Sequence, residues 1–419
     1  MGYAQRTWTR TDYGLVAGIM CLMGGYYWAI RGTSGYGGET GGALAGFGWA
    51  LLWYAFSQMG GAERRPYATP WMLVAITCGI MFGGFTGYGV YISWLNGKYC
   101  MNHPDLERAV PAWTGYAMLF LCGLHWGGNT GCFMAWCAPN RPLRLQDWVA
   151  RIFCGVAGAV AALAFVRIFP QLFLPFYSEG VYNIPEYKTC QRALLSIQTI
   201  APHVGSAIGF LAYEIIRRDR RAVAMILTLA LGFAIPFTIG GIWQTQHGSP
   251  IRIDWWKNWE MSIGLGGGLA FGLAFWLFNR PADAVQPALG RWSRTFFRSG
   301  IPLWLPCIPV LQGCYDGWCE IHGVEPVLAG YATLFGLSFL PVLVLWARQL
   351  RHPPGGAPYR VPCASIMALQ LLIVAAGVIV SIPRTWRFGN TFLAAAYTLY
   401  IGTSLCLLAI LWKRNRAEN

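Results

Sequence analysis

Two clusters in this chain combine aromatic, basic and acidic side chains in an otherwise apolar context. In the first, Trp28 and Arg31 precede a glycine-rich loop, and Glu39 opens the run Gly41-Gly42-Ala-Leu-Ala-Gly46. In the second, Trp243, Gln244, Gln246 and His247 precede a loop, and Glu260 opens a run containing Gly264, Gly266, Gly267 and Gly268. A carboxylate at a helix N-terminus is favoured by the positive end of the dipole, so each acid can be read as a cap beside interfacial tryptophan. The alternative sets Arg31, Glu39, His247 and Glu260 around a cavity, because ionisable groups at membrane depth are costly and mark pathways, partners or relays. Trp255, Trp256 and Trp259 crowd against Glu260. Aromatic planes beside carboxylate and amide groups suit a sugar or another flat, hydroxyl-bearing solute. An aromatic belt at the membrane surface accounts for tryptophans of this kind without a ligand.

Further candidates lie elsewhere. His125 and His203 sit well inside apolar runs, and Asn129 follows His125 by one helical turn, on the same face. Asp316, Glu320 and His322 fall close together after a proline-interrupted apolar run, as an outer loop able to handle protons or a cation. Glu214 and Arg167 lie near the ends of apolar runs, where long side chains snorkel, and are left out of the site. Gly32-Thr33-Ser34-Gly35 matches the short Gly-x-Ser-Gly pattern of rhomboid intramembrane proteases. No catalytic histidine accompanies it near the end of a later span, so it reads as turn chemistry. Phosphate-binding loops, His-Glu-x-x-His and haem-attachment patterns are missing from the sequence, as are zinc-ligand spacings, so neither a metal nor a cofactor is expected.

These groups need a scaffold, and composition supplies one. Hydrophobic residues make up 55% and charged residues 11%, with a mean hydropathy of +0.42, too little charge for a soluble surface. Crossing a bilayer takes about 20 helical residues. Stretches near 13–30, 41–59, 71–95, 112–137, 148–175, 198–216, 222–243, 260–278, 299–315, 327–347, 363–383 and 391–412 meet that demand, giving an all-α integral membrane protein of about twelve transmembrane helices. The net charge of +14 is not spread like a nucleic-acid patch. Arg64, Arg65, Arg141, Arg144, Arg217, Arg218, Arg220 and Arg221 crowd into alternate connections, while the intervening ones carry less. The positive-inside rule then puts both termini in the cytoplasm of an inner-membrane protein, with the first span as an uncleaved anchor. Cys100, Cys190, Cys314 and Cys319 fall on the outer side, where pairing is chemically open but not assignable. Gly42 and Gly46, then Gly123, Gly127 and Gly131, then Gly264, Gly268 and Gly272 recur every fourth residue, the spacing that lets two helix backbones approach closely.

The chain also repeats itself. Pro-x-x-x-Gly-Tyr-Ala-x-Leu-Phe occurs at 111–120 and again at 326–335, about half the chain apart. Gly25 and Trp28 echo as Gly240 and Trp243. Two parallel six-helix repeats, 1–218 and 219–419, are the expectation. That layout resembles the major facilitator superfamily, although the loop containing Glu63-Arg64-Arg65 matches the family's signature only loosely. The resemblance implies a secondary transporter that rocks two halves around a central site. The expected cargo is a small polar solute, sugar-like by the tryptophans. Trp28, Arg31, Glu39, His125, Asn129, Trp243, Gln244, His247, Trp256, Trp259 and Glu260 are the substrate-binding candidates, and Glu39, Glu260, Asp316 and Glu320 the proton- or cation-coupling ones. A membrane-embedded transferase or hydrolase acting at the outer face, on a glycan or lipid-linked substrate, is the alternative. A structural subunit holding a tetrapyrrole on His125 and His203 is the third reading.

Overall fold

The computed structural model describes residues 7–32, 36–59, 65–100, 108–139, 143–184, 188–281, 291–351, 363–387 and 391–416. Its secondary structure is helical, with one isolated β-bridge between Lys98 and Ala109 and no strand among the described residues. The α-helices in chain order are α1 (Arg10–Ile30), α2 (Gly38–Ser57), α3 (Trp71–Gly83), α4 (Ile92–Leu95), α5 (Ala112–Trp136), α6 (Leu145–Ile168), α7 (Lys188–Ile216) and α8 (Arg220–Gly240). They continue as α9 (Trp255–Phe278), α10 (Arg291–Arg298), α11 (Ile301–Trp304), α12 (Cys307–His322), α13 (Leu328–Arg351), α14 (Cys363–Arg387) and α15 (Thr391–Arg416). Six helical stretches among the described residues are long and apolar enough to cross a membrane: Arg10–Ile30, Leu145–Ile168, Gln191–Ile216, Arg220–Gln246, Trp255–Phe278 and Thr391–Asn415.

Successive contacts close α1, α9, α8, α5, α3 and α2 into a ring. Its centre is filled by Trp28, Trp49, Trp126, Phe233, Phe237 and Phe271, all fully buried and packed ring against ring. The pair α6–α7 packs onto α5, α12 and α14 onto α2, and α15 onto α1.

The glycine spacings read from sequence mark the tightest of these contacts. Gly264 and Gly268 bring α9 against the Gly24 and Met20 carbonyls of α1, and Gly123, Gly127 and Gly131 do the same against the backbone of α8. Gly42 and Gly46 seat α2 on the Ile80 and Ile76 carbonyls of α3. A β-carbon at any of these positions would push the helices apart. The close approach is worth dispersion energy, where burial from water cannot drive association.

Some boundaries differ from expectation, each for a local reason. The third apolar run is not one helix. It breaks at Gly83-Gly84, and a loop and a 3-10 turn, Gly89–Tyr91, precede α4. The eighth begins five residues early, because Asp254 is the N-cap and its Oδ1 accepts from the Lys257 amide at 3.0 Å. Glu260 therefore sits in the second turn and is not a cap. The fifth run stops at Ile168, where Pro170 starts a 3-10 turn. The outer loop expected around Asp316 is helical, since α12 runs on to His322 and closes on Gly323 in the left-handed conformation. Both copies of the repeated decapeptide open a helix: Pro111 caps α5, and Pro326 precedes α13. α1 runs along α9, while α8, whose Gly240 is the sequence echo of Gly25 in α1, runs along α5.

The ends assigned to the cytoplasm by charge are tied by buried polar groups. Arg65 donates through Nη1 to the Asn279 carbonyl at 2.6 Å, and Arg221 through Nη2 to the Phe278 carbonyl at 2.8 Å. Both guanidinium groups thus satisfy the C-terminal carbonyls of α9, where positive charge is favoured. Asn279, fully buried, accepts from the Tyr67 amide at 2.9 Å and donates to Ser57 Oγ at 2.8 Å. Asn279 is thus a junction between α9, α2 and the loop before α3. The Asn-Arg-Pro of 279–281 occurs again at 140–142, which lies outside the described residues, as do Glu63-Arg64 and the Thr33-Ser34-Gly35 turn. Cys100, Cys314 and Cys319 are free thiols, and the Cys190 side chain is not among the described ones.

Candidate functional site

The break after α3 organises the polar interior. A helix that stops inside the molecule leaves carbonyls needing donors. Here Thr86 supplies two, its amide at 3.0 Å and its hydroxyl at 2.8 Å, both to the Gly83 carbonyl. Gly84 lets the break lie on the start of α2: a β-carbon there would come 2.6 Å from Glu39 Cα. Ser196 of α7 pins the far side, donating to the Gly87 carbonyl at 2.7 Å.

From this break Tyr88 reaches Arg31, the C-cap of α1. Arg31 Nη1 donates to the Tyr88 hydroxyl at 2.7 Å. The guanidinium carbon lies 5.0 Å from the Trp28 ring, 5.3 Å from Tyr88 and 4.7 Å from Trp126. Arg31 is only 5% exposed, and among the described residues no carboxylate pairs with it and no acceptor meets its Nε. Three aromatic faces offset part of the desolvation, about 2 kcal/mol each when water is excluded. An isolated buried charge costs more than that. The centre is a cation that lacks an anion.

A second charged group lies across Tyr88. Its ring stacks on Trp256 at 6.4 Å and 15°, and meets Trp259 edge-on at 5.0 Å. Trp256 donates to Glu260 Oε1 at 2.9 Å. Lys257, fully buried, donates to Glu260 Oε2 and to the Ala29 carbonyl, the latter at 2.7 Å. The Glu260 carboxylate rests on Gly32, where any β-carbon would collide with Oε1. Lys257 and Glu260 thus lock the N-terminal end of α9 to the C-terminal end of α1. With Arg31 they give two cations to one carboxylate.

Behind Trp126 lies a neutral cluster. The His125 and His203 rings are 5.4 Å apart, and His125 Nε2 is 2.9 Å from Thr86 Oγ1. Asn129 donates to the His125 carbonyl at 3.2 Å and the His203 carbonyl at 3.0 Å, clamping α5 to α7. The two imidazoles touch, at 53° to each other, with no slot for a macrocycle between them.

The structure therefore gathers Trp28, Arg31, Trp256, Trp259 and Glu260 around the break, with His125 and Asn129 adjoining. The other candidates lie apart. Trp243, Gln244 and His247 form a separate seam: Trp243 stacks on Trp255 at 5.8 Å and donates to Ser262 at 2.8 Å, and His247 Nε2 lies 3.1 Å from Gln244 Oε1. Glu39 is exposed in the first turn of α2. Asp316 accepts from the Tyr331 hydroxyl, and Glu320 is exposed, both on α12. Sequence reasoning missed Tyr88 and Lys257. Lys257 carried a legible signal, three positions before Glu260 on one helix face; Tyr88 carried none, because only the break turns it inward. Glu214 is a further correction. It does not snorkel but is fully buried, and Arg151 binds its Oε1 through Nε at 2.7 Å. Among the described residues no group of three or more metal-ligating side chains occurs. No family model, no curated protein and no solved structure matches this chain.

Proposed function

We propose that the chain is a multi-pass inner-membrane secondary transporter in which all twelve apolar segments cross the bilayer, both termini are cytoplasmic, and two ancestrally equivalent halves, 1–218 and 219–419, share the work. The observation that carries this reading is the broken third helix. Irregular backbone at membrane depth persists where it is buried in protein or lines a cavity, and half-helix ends are recurrent ligand sites in transporters. Here the break presents Tyr88 to a buried, unpaired Arg31 and to the tryptophans around Glu260. The cargo is a small polar solute whose anionic group completes Arg31 and whose body lies against Tyr88 and Trp256. A sugar acid meets both demands.

The test is uptake into proteoliposomes of sugar acids against the matching neutral sugars. The acids are expected to be taken up, and Arg31→Gln to abolish that uptake while the protein stays folded. Uptake of neutral sugars alone, or full activity in Arg31→Gln, refutes the assignment. One observation favours the membrane-enzyme reading as second choice. An apolar groove of about 640 Å³ runs between α8 and α9, lined by Leu231, Ile235, Ile239, Leu269 and Leu273, and would take a lipid tail. Product release from a lipid-linked glycan without solute uptake would select it.

A further inference from the structure

The side chains around Arg31 are rich in hydrogens that meet no acceptor among the described residues. Arg31 Nε, Trp28 Nε1 and Trp126 Nε1 are buried donors without a partner. Tyr88 adds a fourth: its oxygen accepts from Arg31 Nη1, and its own hydrogen meets no acceptor there. The four groups form one cluster. The guanidinium carbon lies 5.0 Å from the Trp28 ring and 4.7 Å from the Trp126 ring, and the two ring centres are 4.9 Å apart. The Trp28 N–H turns toward the Tyr88 oxygen without reaching hydrogen-bond geometry. All four residues are buried, Trp28 and Trp126 completely.

Buried polar groups in folded proteins are almost always hydrogen-bonded, so four donors with no acceptor among them call for a ligand that only accepts. An ionised carboxylate is such a ligand, with two oxygens that take about four hydrogen bonds and give none. The charge of the cluster then sets the charge of the ligand. Lys257 and Glu260 are matched to each other, which leaves the single positive charge of Arg31. The remaining buried carboxylates are committed elsewhere, Glu214 to Arg151 and Asp12 to Arg414. A monoanion neutralises Arg31. A dianion leaves one negative charge unpaired in a dry site, and an uncompensated buried charge is strongly unfavourable.

We propose that Arg31, Trp28, Trp126 and Tyr88 hold one carboxylate group, and that the site thereby selects a monoanionic sugar acid against a dianionic sugar phosphate. The two tryptophans donate from their indole N–H groups, Tyr88 from its hydroxyl and Arg31 from Nε. Trp126 thus joins Trp28 and Arg31 in contact with the ligand, and the aromatic faces that offset the desolvation of Arg31 also supply donors. That the ligand is cargo rests on the transport reading; that it carries a single negative charge rests on the cluster alone.

The test is binding to the purified protein in nanodiscs, in chloride-free buffer at about pH 8, where a phosphate ester is a dianion. Tryptophan is labelled at the indole nitrogen and read by NMR, with Trp28→Phe and Trp126→Phe assigning the two resonances. Glucuronate and galacturonate are expected to move both indole signals. They are also expected to bind at least about tenfold more tightly than glucose 6-phosphate or galactose 6-phosphate. Should a tryptophan variant fail to fold, selectivity among these four compounds, measured on the unaltered protein, still decides. Sugar phosphates that bind as tightly as the acids overturn the proposal. So do acids that bind with both indole signals unmoved, and so does binding of neither class. Chloride that moves the same signals and resists displacement by glucuronate makes this a halide site and overturns it too. Selective binding of the acids without uptake into proteoliposomes refutes the transport reading and leaves the carboxylate site standing. Uptake of sugar phosphates as fast as of the acids does the reverse.

Discussion

Replacing Glu260 by Gln keeps the shape of the side chain and removes its charge. Lys257 then stays fully buried, facing the Ala29 carbonyl and an amide where a carboxylate had been. An amide cannot serve both neighbours as the carboxylate does: with its oxygen on Lys257, its NH2 meets the Trp256 N–H, donor against donor. Removing one member of a buried ion pair costs about 3–5 kcal/mol, because the remaining charge has been desolvated without compensation. For a chain of this size that is a fall of roughly 6–10 °C in melting temperature, at about 2 °C per kcal/mol. The double variant Lys257→Met, Glu260→Gln removes the orphaned ammonium, and the Gln oxygen is free to accept from Trp256. Its deficit is expected at about 1 kcal/mol, so removing the orphaned ammonium restores about 2–4 kcal/mol of what Glu260→Gln loses. The assay is the fraction of monodisperse protein surviving a heating series in detergent. A single variant that melts with the wild type, or a double variant as unstable as Glu260→Gln, would refute the claim that this pair locks α1 to α9.

Tyr88→Phe deletes the acceptor of the Arg31 guanidinium and should cost about 1.5–3 kcal/mol of stability, the range for hydrogen bonds to charged groups, read in the same heating series. Gly127→Ala drives a β-carbon into the Leu229 carbonyl and should cost about 1–3 kcal/mol, whereas Gly402→Ala on α15 meets open space and should melt no lower than wild type. Asn279→Ala orphans the buried Tyr67 amide and removes the donor to the Ser57 hydroxyl, which keeps its own bond to the Trp53 carbonyl, with an expected loss of about 1–3 kcal/mol and faster proteolysis at the α2–α3 connection. Arg31→Lys is predicted to lose solute binding almost as fully as Arg31→Gln, since an ammonium cannot span three aromatic faces and present a planar fork; binding within threefold of wild type would count against the site.

The legible part of this protein came from chain-local physics. Low charge and long apolar runs force helices, because backbone groups in lipid have no partners outside their own segment. Glycines every fourth residue force close helix contacts, and the runs at Gly123, Gly264 and Gly42 each seat a neighbouring backbone. Trp28, Arg31, Trp256, Trp259 and Glu260 were legible as a set because charge and tryptophan are rare companions in such a chain. What no periodicity could supply was the choice of partner. Extending the Gly25/Trp28 echo by three residues sets Arg31 against Gln246 or His247, but the packing of α1 along α9 set Lys257 and Glu260 at its end instead. The break at Gly83-Gly84 reads as an ordinary glycine pair inside an apolar run. Only the start of α2, lying against Gly84, and Thr86, folded back onto the Gly83 carbonyl, make stopping there cheaper than continuing. Sequence determined that there would be helices, where they could touch and which side chains were too polar to ignore. Tertiary structure decided which charges met and left Arg31 without a carboxylate among the described residues, since pairing depends on contacts between residues far apart in the chain.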